Sequence, residues 1–565
     1  MEYFCITPRC RLCRFNFIED DKIFILRPDG RSVTLTLPFG TTEDNTCTYK
    51  PCLPGCGHFD GKLTGYHINC LQLGGYQLAT KTIIPKLSDV TSYTYDPWPG
   101  EDARRFRWMR SRLTSILCSS FALRLPYEVC DIIAQYCICG YALHITDKFC
   151  SENTSHNFGI DLSEPVWARY ASLDGLEYIV SLANYPTGDD VEPISLPDTL
   201  IHTVYVAEDH LGVREVHFNE VRHHPAPGLW WRTIRMRTPP QLQGQTDGSK
   251  LRRLFCPGHK SDDDVLWAAP QLSPERLRLI KLTASTAPLK IKMASLKLGP
   301  EVIGYTFCWD NRIIALRPHS LNEDLSYYKY IAADHPRALW SYVPLRSKER
   351  IIEIWHRCRV PGRKEIEFIA VTNQDRILVI GAHPRPSSLR CSYELLYKAK
   401  LDEGSFYIDE SAAGICAVAS SPSTGRTVTP RLPTASSPYP HSMSYEDFLY
   451  TKASVENVSH IRLCRVESII TGLVLDYTNG HEECVGQIRL DCLEASTMID
   501  ICQKMWLRVS RSPRGFPQVV DMGFSPKSKS DEYICIVWRG SLEWWVSKDQ
   551  CQLYHDGQAS LSTRL

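Results

Sequence analysis

The chain has 565 residues, 64 Lys and Arg against 64 Asp and Glu, and 23 cysteines. At roughly 150 residues per domain the length argues for three or four domains, and the zero net charge argues against a nucleic-acid protein driven by a global basic field. With 43% hydrophobic and 23% charged residues, the composition is that of a chain that builds packed cores.

The N-terminus carries arginines and cysteines where a secretory signal would be apolar. No run of about 18 uninterrupted apolar residues occurs, which argues against a membrane span. A cytoplasmic or nuclear location is therefore expected, a reducing setting in which clustered cysteines are metal ligands more often than disulfides.

Residues 1–82 hold seven of the cysteines and read as a Cys/His module. Within it Lys22 to Leu26 and Val33 to Leu37 flank Pro28-Asp29-Gly30, a hairpin pattern. Cys10-x2-Cys13 and His67-x2-Cys70 lie on either side of that hairpin. A two-residue gap lets one tight turn aim two side chains at a single ion, so Cys10, Cys13, His67 and Cys70 make a candidate tetrahedral zinc site. A second set is drawn from Cys47, Cys52, Cys56 and His58, so one or two zinc ions are expected. Four protein ligands leave no open position, which makes such a site structural. From about 84 to 100, Pro, Ser, Thr, Asp and Gly predict a linker.

Residues 101–150 predict two helices. Phe106, Met109, Leu113 and Ile116 recur at helical spacing, and so do Leu125, Val129, Ile132, Ile133 and Tyr136 after Pro126. Arg104, Arg105, Arg107, Arg110 and Arg112, interleaved with Phe106 and Trp108, could grip phosphates and stack on bases. Overall neutrality favours a solvated helix face instead, and nucleic acid is not an expected partner.

From about 160 the pattern changes to short strands broken by turns, over a domain at 160–417 and a β-rich stretch at 443–565 that is either a C-terminal domain or a continuation of the same β body. Hairpins are predicted at Val204 to Val206 with Val213 to Phe218, at Tyr305 to Trp309 with Ile313 to Leu316, and at Ile366 to Val371 with Ile377 to Ile380. Two more are predicted around Asn479-Gly480 and, between Tyr533 to Trp538 and Leu542 to Val546, around Gly540. The Ser/Thr/Pro-rich tract 418–442 reads as a linker or mobile loop. The predicted class is multi-domain α+β, mostly β, with a large antiparallel body of sandwich or prism type; no fixed-period repeat supports a propeller.

Leu125-Pro126-Tyr127-Glu128-Val129-Cys130-Asp131-Ile132-Ile133 resembles the opening of an F-box, the helical element that docks a substrate-binding protein on the Skp-type adaptor of a cullin ubiquitin ligase. The resemblance implies an apolar docking face on Leu125, Pro126, Glu128, Val129, Ile132 and Ile133, in the helix-in-groove manner. Cys137-Ile138-Cys139-Gly140 stand where the motif commonly closes with Val-Cys-x-x-Trp. The other reading is a helix that packs within the chain. Taken with Cys10/Cys13, His67/Cys70, Asp209 to Arg214, Gly228 to Arg232 and Gly472 to Tyr477 through Gly486, the chain resembles a group of filamentous-fungal proteins of unassigned function that join a Cys/His module, an F-box-like helix and a β-rich body.

Ile470 to Gly480 is similar to a strand and turn of jacalin-type lectins, whose β-prism fold binds sugars. Gly540-Ser541-Leu542-Glu543-Trp544 lacks the aspartate of the Gly-x-x-x-Asp loop that completes their sugar site. Trp230, Trp231, Trp538, Trp544 and Trp545 are candidates to line a ligand or peptide groove. No phosphate-binding glycine loop, Gly-x-Ser-x-Gly elbow, His-Glu-x-x-His or kinase signature occurs, and His223-His224 and Asp262 to Asp264 stand alone. The expectation is a non-enzymatic interaction protein: an F-box-like adaptor whose β body selects a client, or a lectin-like binding protein without a ligase role.

Overall fold

The computed structural model describes residues 2–26, 32–36, 47–52, 62–75, 91–120, 125–150, 156–188, 190–194, 196–221, 226–236, 240–257, 265–271, 276–282, 290–359, 367–385, 391–399, 405–411, 414–422, 428–442, 446–526 and 532–562. Strand makes up 47% of the structure against 14% helix, in several antiparallel sheets of which none closes into a barrel, so the mostly β class holds. The chain divides into two compact units, one of residues 1–274 with 287–292 and one of residues 275–286 with 293–565. The division therefore falls near 275–293, not at the tract 418–442.

In the first unit, the N-terminal module is a five-stranded mixed sheet. Its strands are β1 (Glu2–Cys10), β2 (Lys22–Leu26), β3 (Ser32–Thr36), β4 (Cys47–Pro51) and β5 (Lys62–His67), in the order β3-β2-β5-β1-β4. The expected hairpin is present as β2 and β3, paired antiparallel from Lys22↔Thr36 to Leu26↔Ser32. β1 runs parallel to both β4 and β5. Ile6, Ile23, Ile25, Tyr49 and Leu63 fill one face of the sheet.

Helix α1 (Ile68–Leu73) follows β5 directly, and α2 (Glu101–Ser120) and α3 (Tyr127–Cys150) form the expected helical pair. The carbonyl of Pro126 accepts the first amides of α3, from Val129 and Cys130, both at 3.1 Å. One core joins Cys10, Leu12, Cys13, Phe24, Tyr66, Cys70 and Leu71 to Met109 of α2 and Ile138, Ala142 and Leu143 of α3. α3 is the one described helix long and apolar enough to cross a membrane. Its buried residues are spent inside the protein, on α2 and the Cys/His module.

Residues 91–100, expected as linker, are a packed strap instead. Thr91 donates to the carbonyl of Arg11 at 2.7 Å, the Tyr95 hydroxyl donates to the carbonyl of Glu208 at 3.1 Å, and Tyr93 meets His210 edge-on at 4.8 Å. Three aromatic side chains in a polar stretch outweigh its turn-forming composition. The strap leads into the β body of this unit, where Thr203–Glu208 pairs with Val213–Phe218 as expected and with Trp230–Arg235 on its other edge. Two further three-stranded sheets, one around Gln241–Thr246 and one around Val166–Leu173, share a core of Ile160, Ile179, Val204, Val206, Leu242 and Leu254.

The second unit packs its sheets on one core that includes Phe307, Ile354, Phe368, Leu473, Leu507 and Trp544. The hairpins expected at Asn311, Asp375 and Gly480 form, each with its turn residue at positive φ. The one expected around Gly540 does not. Glu532–Ile536 pairs with Met505–Arg511, whereas Ser541–Val546 pairs with Leu449–Ser454 and Cys551–His555 in another sheet. The Val537 amide is taken by His555 Nε2 at 3.0 Å, so the chain leaves one sheet for the other there.

The tract 418–442 carries no helix or strand in its described residues after Ser420, yet it is packed in place. Its start lies in the fully buried strand Ala417–Ser420. Farther on, Tyr439 packs against Phe448 and Trp545 at 5.4 and 5.2 Å, and the Ser437 amide donates to Glu543 at 2.9 Å.

Candidate metal centre

Parallel pairing of β1 and β5 brings their C-terminal ends side by side, with Cys10 opposite Gly65. A tight turn after β1 then carries Cys13, and the first turn of α1 carries Cys70. The turn is closed by Arg14, in the left-handed region at φ 64, whose amide donates to the Cys10 carbonyl at 2.8 Å. Gly65 leaves room for the side chains that pack there, since a Cβ would lie 2.9 Å from the Phe17 ring and 3.1 Å from Ile23.

These turns place one donor atom each of Cys10, Cys13, His67 and Cys70 within 4.8 Å of one another, with all three cysteines buried. The group could hold a metal ion. His67 Nδ1 lies 3.4 Å from Cys13 Sγ and 3.6 Å from Cys70 Sγ, and the His67 amide donates to Cys10 Sγ at 3.4 Å. The far nitrogen, Nε2, lies 3.1 Å from Asp21 Oδ2. This is the outer carboxylate that fixes ring orientation and tautomer at metal-bound histidines. Phe17 meets the ring edge-on at 4.9 Å and holds it from the side.

The electrostatics of the bare cluster point the same way. Burial raises the Cys10 thiol, but hydrogen bonds with Cys13, Cys70 and His67 outweigh it and hold Cys10 well below the ordinary thiol range. The hydrogen bond to Cys10 in turn pushes Cys13 and Cys70 up. Only one negative charge settles easily among the three sulfurs, and a bound cation is what would allow all three to ionise. A fourth sulfur lies next to them: Cys139 of α3 is drawn down to about 7 by its hydrogen bond with Cys13, against burial that raises it.

Of the second set, Cys52 is buried and its amide donates to the Ile6 carbonyl at 2.7 Å. Cys47 opens β4 opposite Glu2, and Cys56 and His58 lie outside the described residues, as do His223-His224 and Asp262 to Asp264.

The arginines of α2 are not simply a solvated face. Arg105 is buried and donates through Nε to Asp174 Oδ2 at 2.7 Å, and Arg14, next to the metal ligands, reaches the same oxygen. Arg104 holds Glu101 at 2.8 Å and the Asp174 carbonyl at 3.0 Å, and Arg110 holds Asp131 of α3 at 2.8 Å. Burial raises the Asp174 carboxyl, and Arg14 and Arg105 more than offset this, leaving it at about 2.

The F-box-like residues fall on two faces of α3. Cys130, Ala134, Ile138 and Ala142 are buried, whereas Val129, Ile132 and Tyr136 are 39%, 54% and 85% exposed. Ile133 and Leu125 are half-buried, and Pro126 and Glu128 are exposed.

Four of the five tryptophans expected at a groove are buried. Trp230 and Trp231 are buried in the first unit and Trp544 and Trp545 in the second, with only Trp538 half-buried. The resembling segments are structural in the same sense. Asp209 Oδ1 accepts the Leu211 and Gly212 amides at 2.8 and 3.2 Å to close its turn. Gly472 faces Gly486 across a strand pair where a Cβ would meet backbone oxygens at 2.5 Å.

No family model matches the chain, and no curated protein matches it.

Proposed function

We propose that this chain is a non-enzymatic interaction protein in which a structural zinc ion on Cys10, Cys13, His67 and Cys70 staples a helical hairpin whose outer face docks a partner. Three thiolates with one imidazole and no carboxylate suit zinc rather than a hard cation. A complete set of protein ligands serves folding rather than catalysis.

The observation that carries the reading is the division of α3 into two faces. Cys130, Ala134 and Ile138 pack inside the protein, while Val129, Ile132 and Tyr136 keep an apolar strip open at i, i+3 and i+7 beside the half-buried Ile133. A strip of that spacing is what an α-helical partner reads. It begins right after Leu125-Pro126, where the F-box resemblance places the contact with a Skp-type adaptor, and the β body then serves as the client-recognition surface. Such an adaptor works in the cytoplasm or nucleus.

The test is capture of a purified Skp-type adaptor by the full-length protein. Binding that is lost in an Ile132→Asp, Ile133→Asp variant of unchanged melting temperature supports the proposal. No binding, or binding that survives the double change, overturns it.

A further inference from the structure

Two further members of the arginine and aromatic run of α2 are the half-buried Trp108 and the exposed Arg112. Both line a cleft of about 650 Å³ inside the first unit, between the helical hairpin and the strand Val166–Leu173. That volume is in the range of small-molecule sites, about 300–1,000 Å³.

Three structural elements supply complementary groups. Arg112 comes from α2, Tyr141 and His144 from α3, and Arg169 and Tyr170 from the strand. Lys148 adds a cation. Of the two carboxylates in the lining, Asp174 already serves Arg14 and Arg105. Arg169 Nε is buried and has no hydrogen-bond partner among the described residues. A buried guanidinium donor without an acceptor favours an anion that supplies one. The indole of Trp108 is fixed beside it. Gly175 sits at φ +77, and a Cβ there would lie 2.2 Å from Trp108 Nε1, so the ring lies directly on that glycine's backbone.

We propose that this cleft binds a nucleoside phosphate, with the phosphate on the guanidinium groups of Arg169 and Arg112 and the base among Trp108, Tyr141 and Tyr170. Guanidinium forks match the paired oxygens of a phosphate, and every base offers a face that stacks on aromatic rings. These residues are not those of the docking strip, so the site stands or falls separately from the proposed adaptor role.

The experiment is titration calorimetry of the full-length protein with AMP, and with inorganic phosphate as the second probe. The expected result is saturable AMP binding at least tenfold tighter than phosphate, weakened at least tenfold in Arg112→Gln and in Arg169→Gln. Arg107→Gln, elsewhere on α2, should leave it unchanged. Arg112 is exposed, so its variant tests the site even where Arg169→Gln disturbs folding. Absence of AMP binding at millimolar concentration, equal affinity for the two probes, or affinity untouched by Arg112→Gln would each overturn the proposal.

Discussion

The two halves of the helical hairpin are built from similar residues and put to opposite uses. Near the Cys/His module, Met109, Ile138, Ala142 and Leu143 share a core with the candidate metal ligands, and Arg105 is sunk beside Arg14 on Asp174. Toward the tip, Ile116, Val129, Ile132 and Tyr136 are left to solvent. Apolar residues at helical spacing mark both halves alike. What separates them is whether another element arrives to cover the face.

That contrast can be broken most sharply at its buried end. Ile138→Asp would force a carboxylate into the core around Cys13 and Cys70, at a cost of about 4 kcal/mol or more, read as loss of the cooperative melt of the first unit. Asp174→Asn leaves Arg14 and Arg105 buried without their counter-charge. Removing one partner from a buried ion pair costs about 3–5 kcal/mol, and chemical denaturation of the variant should show a loss of that size. Asp21→Asn removes only the outer partner of His67, and a drop of roughly 10–100-fold in metal affinity by competition with a chelator is expected.

Acid provides a gentler probe of the same buried end. Burial holds the His210 imidazole down at about 3, so between about pH 6.5 and pH 3 the unfolded chain binds a proton that the folded one does not. Stability contributed by the neutral ring is complete above pH 6.5 and falls with acid, by up to about 1.4 kcal/mol per pH unit. A His210→Gln variant, compared with wild type in melts from pH 7 to pH 5, should show a shallower decline. At the open end the expected effect is smallest. Ile132→Asp should alter stability by no more than about 0.5 kcal/mol, and a large loss would mean that the strip is covered after all.

Much of this was legible beforehand because it is local. Spacing was enough to find Cys10, Cys13, His67 and Cys70, and turn residues such as Asn311, Asp375 and Gly480 located real hairpins. Partners supplied by the fold were not legible. Asp21 reaches His67 through strand pairing, Cys139 arrives on a helix over a hundred residues from Cys13 in sequence, and Arg14 finds Asp174 across 160 positions. The run Cys137-Ile138-Cys139 registered only as a departure from the F-box pattern. Composition misled where a few aromatics outweigh many polar residues, as with Tyr93 and Tyr95 in the strap. Adjacent tryptophans likewise suggested a groove, because sequence does not say which sheet each side of a strand will face.

The central claim, that a metal ion on four side chains staples the hairpin to the N-terminal module, is tested most directly by metal analysis of the full-length protein beside its Cys10→Ser, Cys70→Ser variant. The account predicts at least one equivalent of zinc in the wild type and one fewer in the variant, whatever the second Cys/His group contributes. Equal metal content in the two proteins, or none in either, would contradict it.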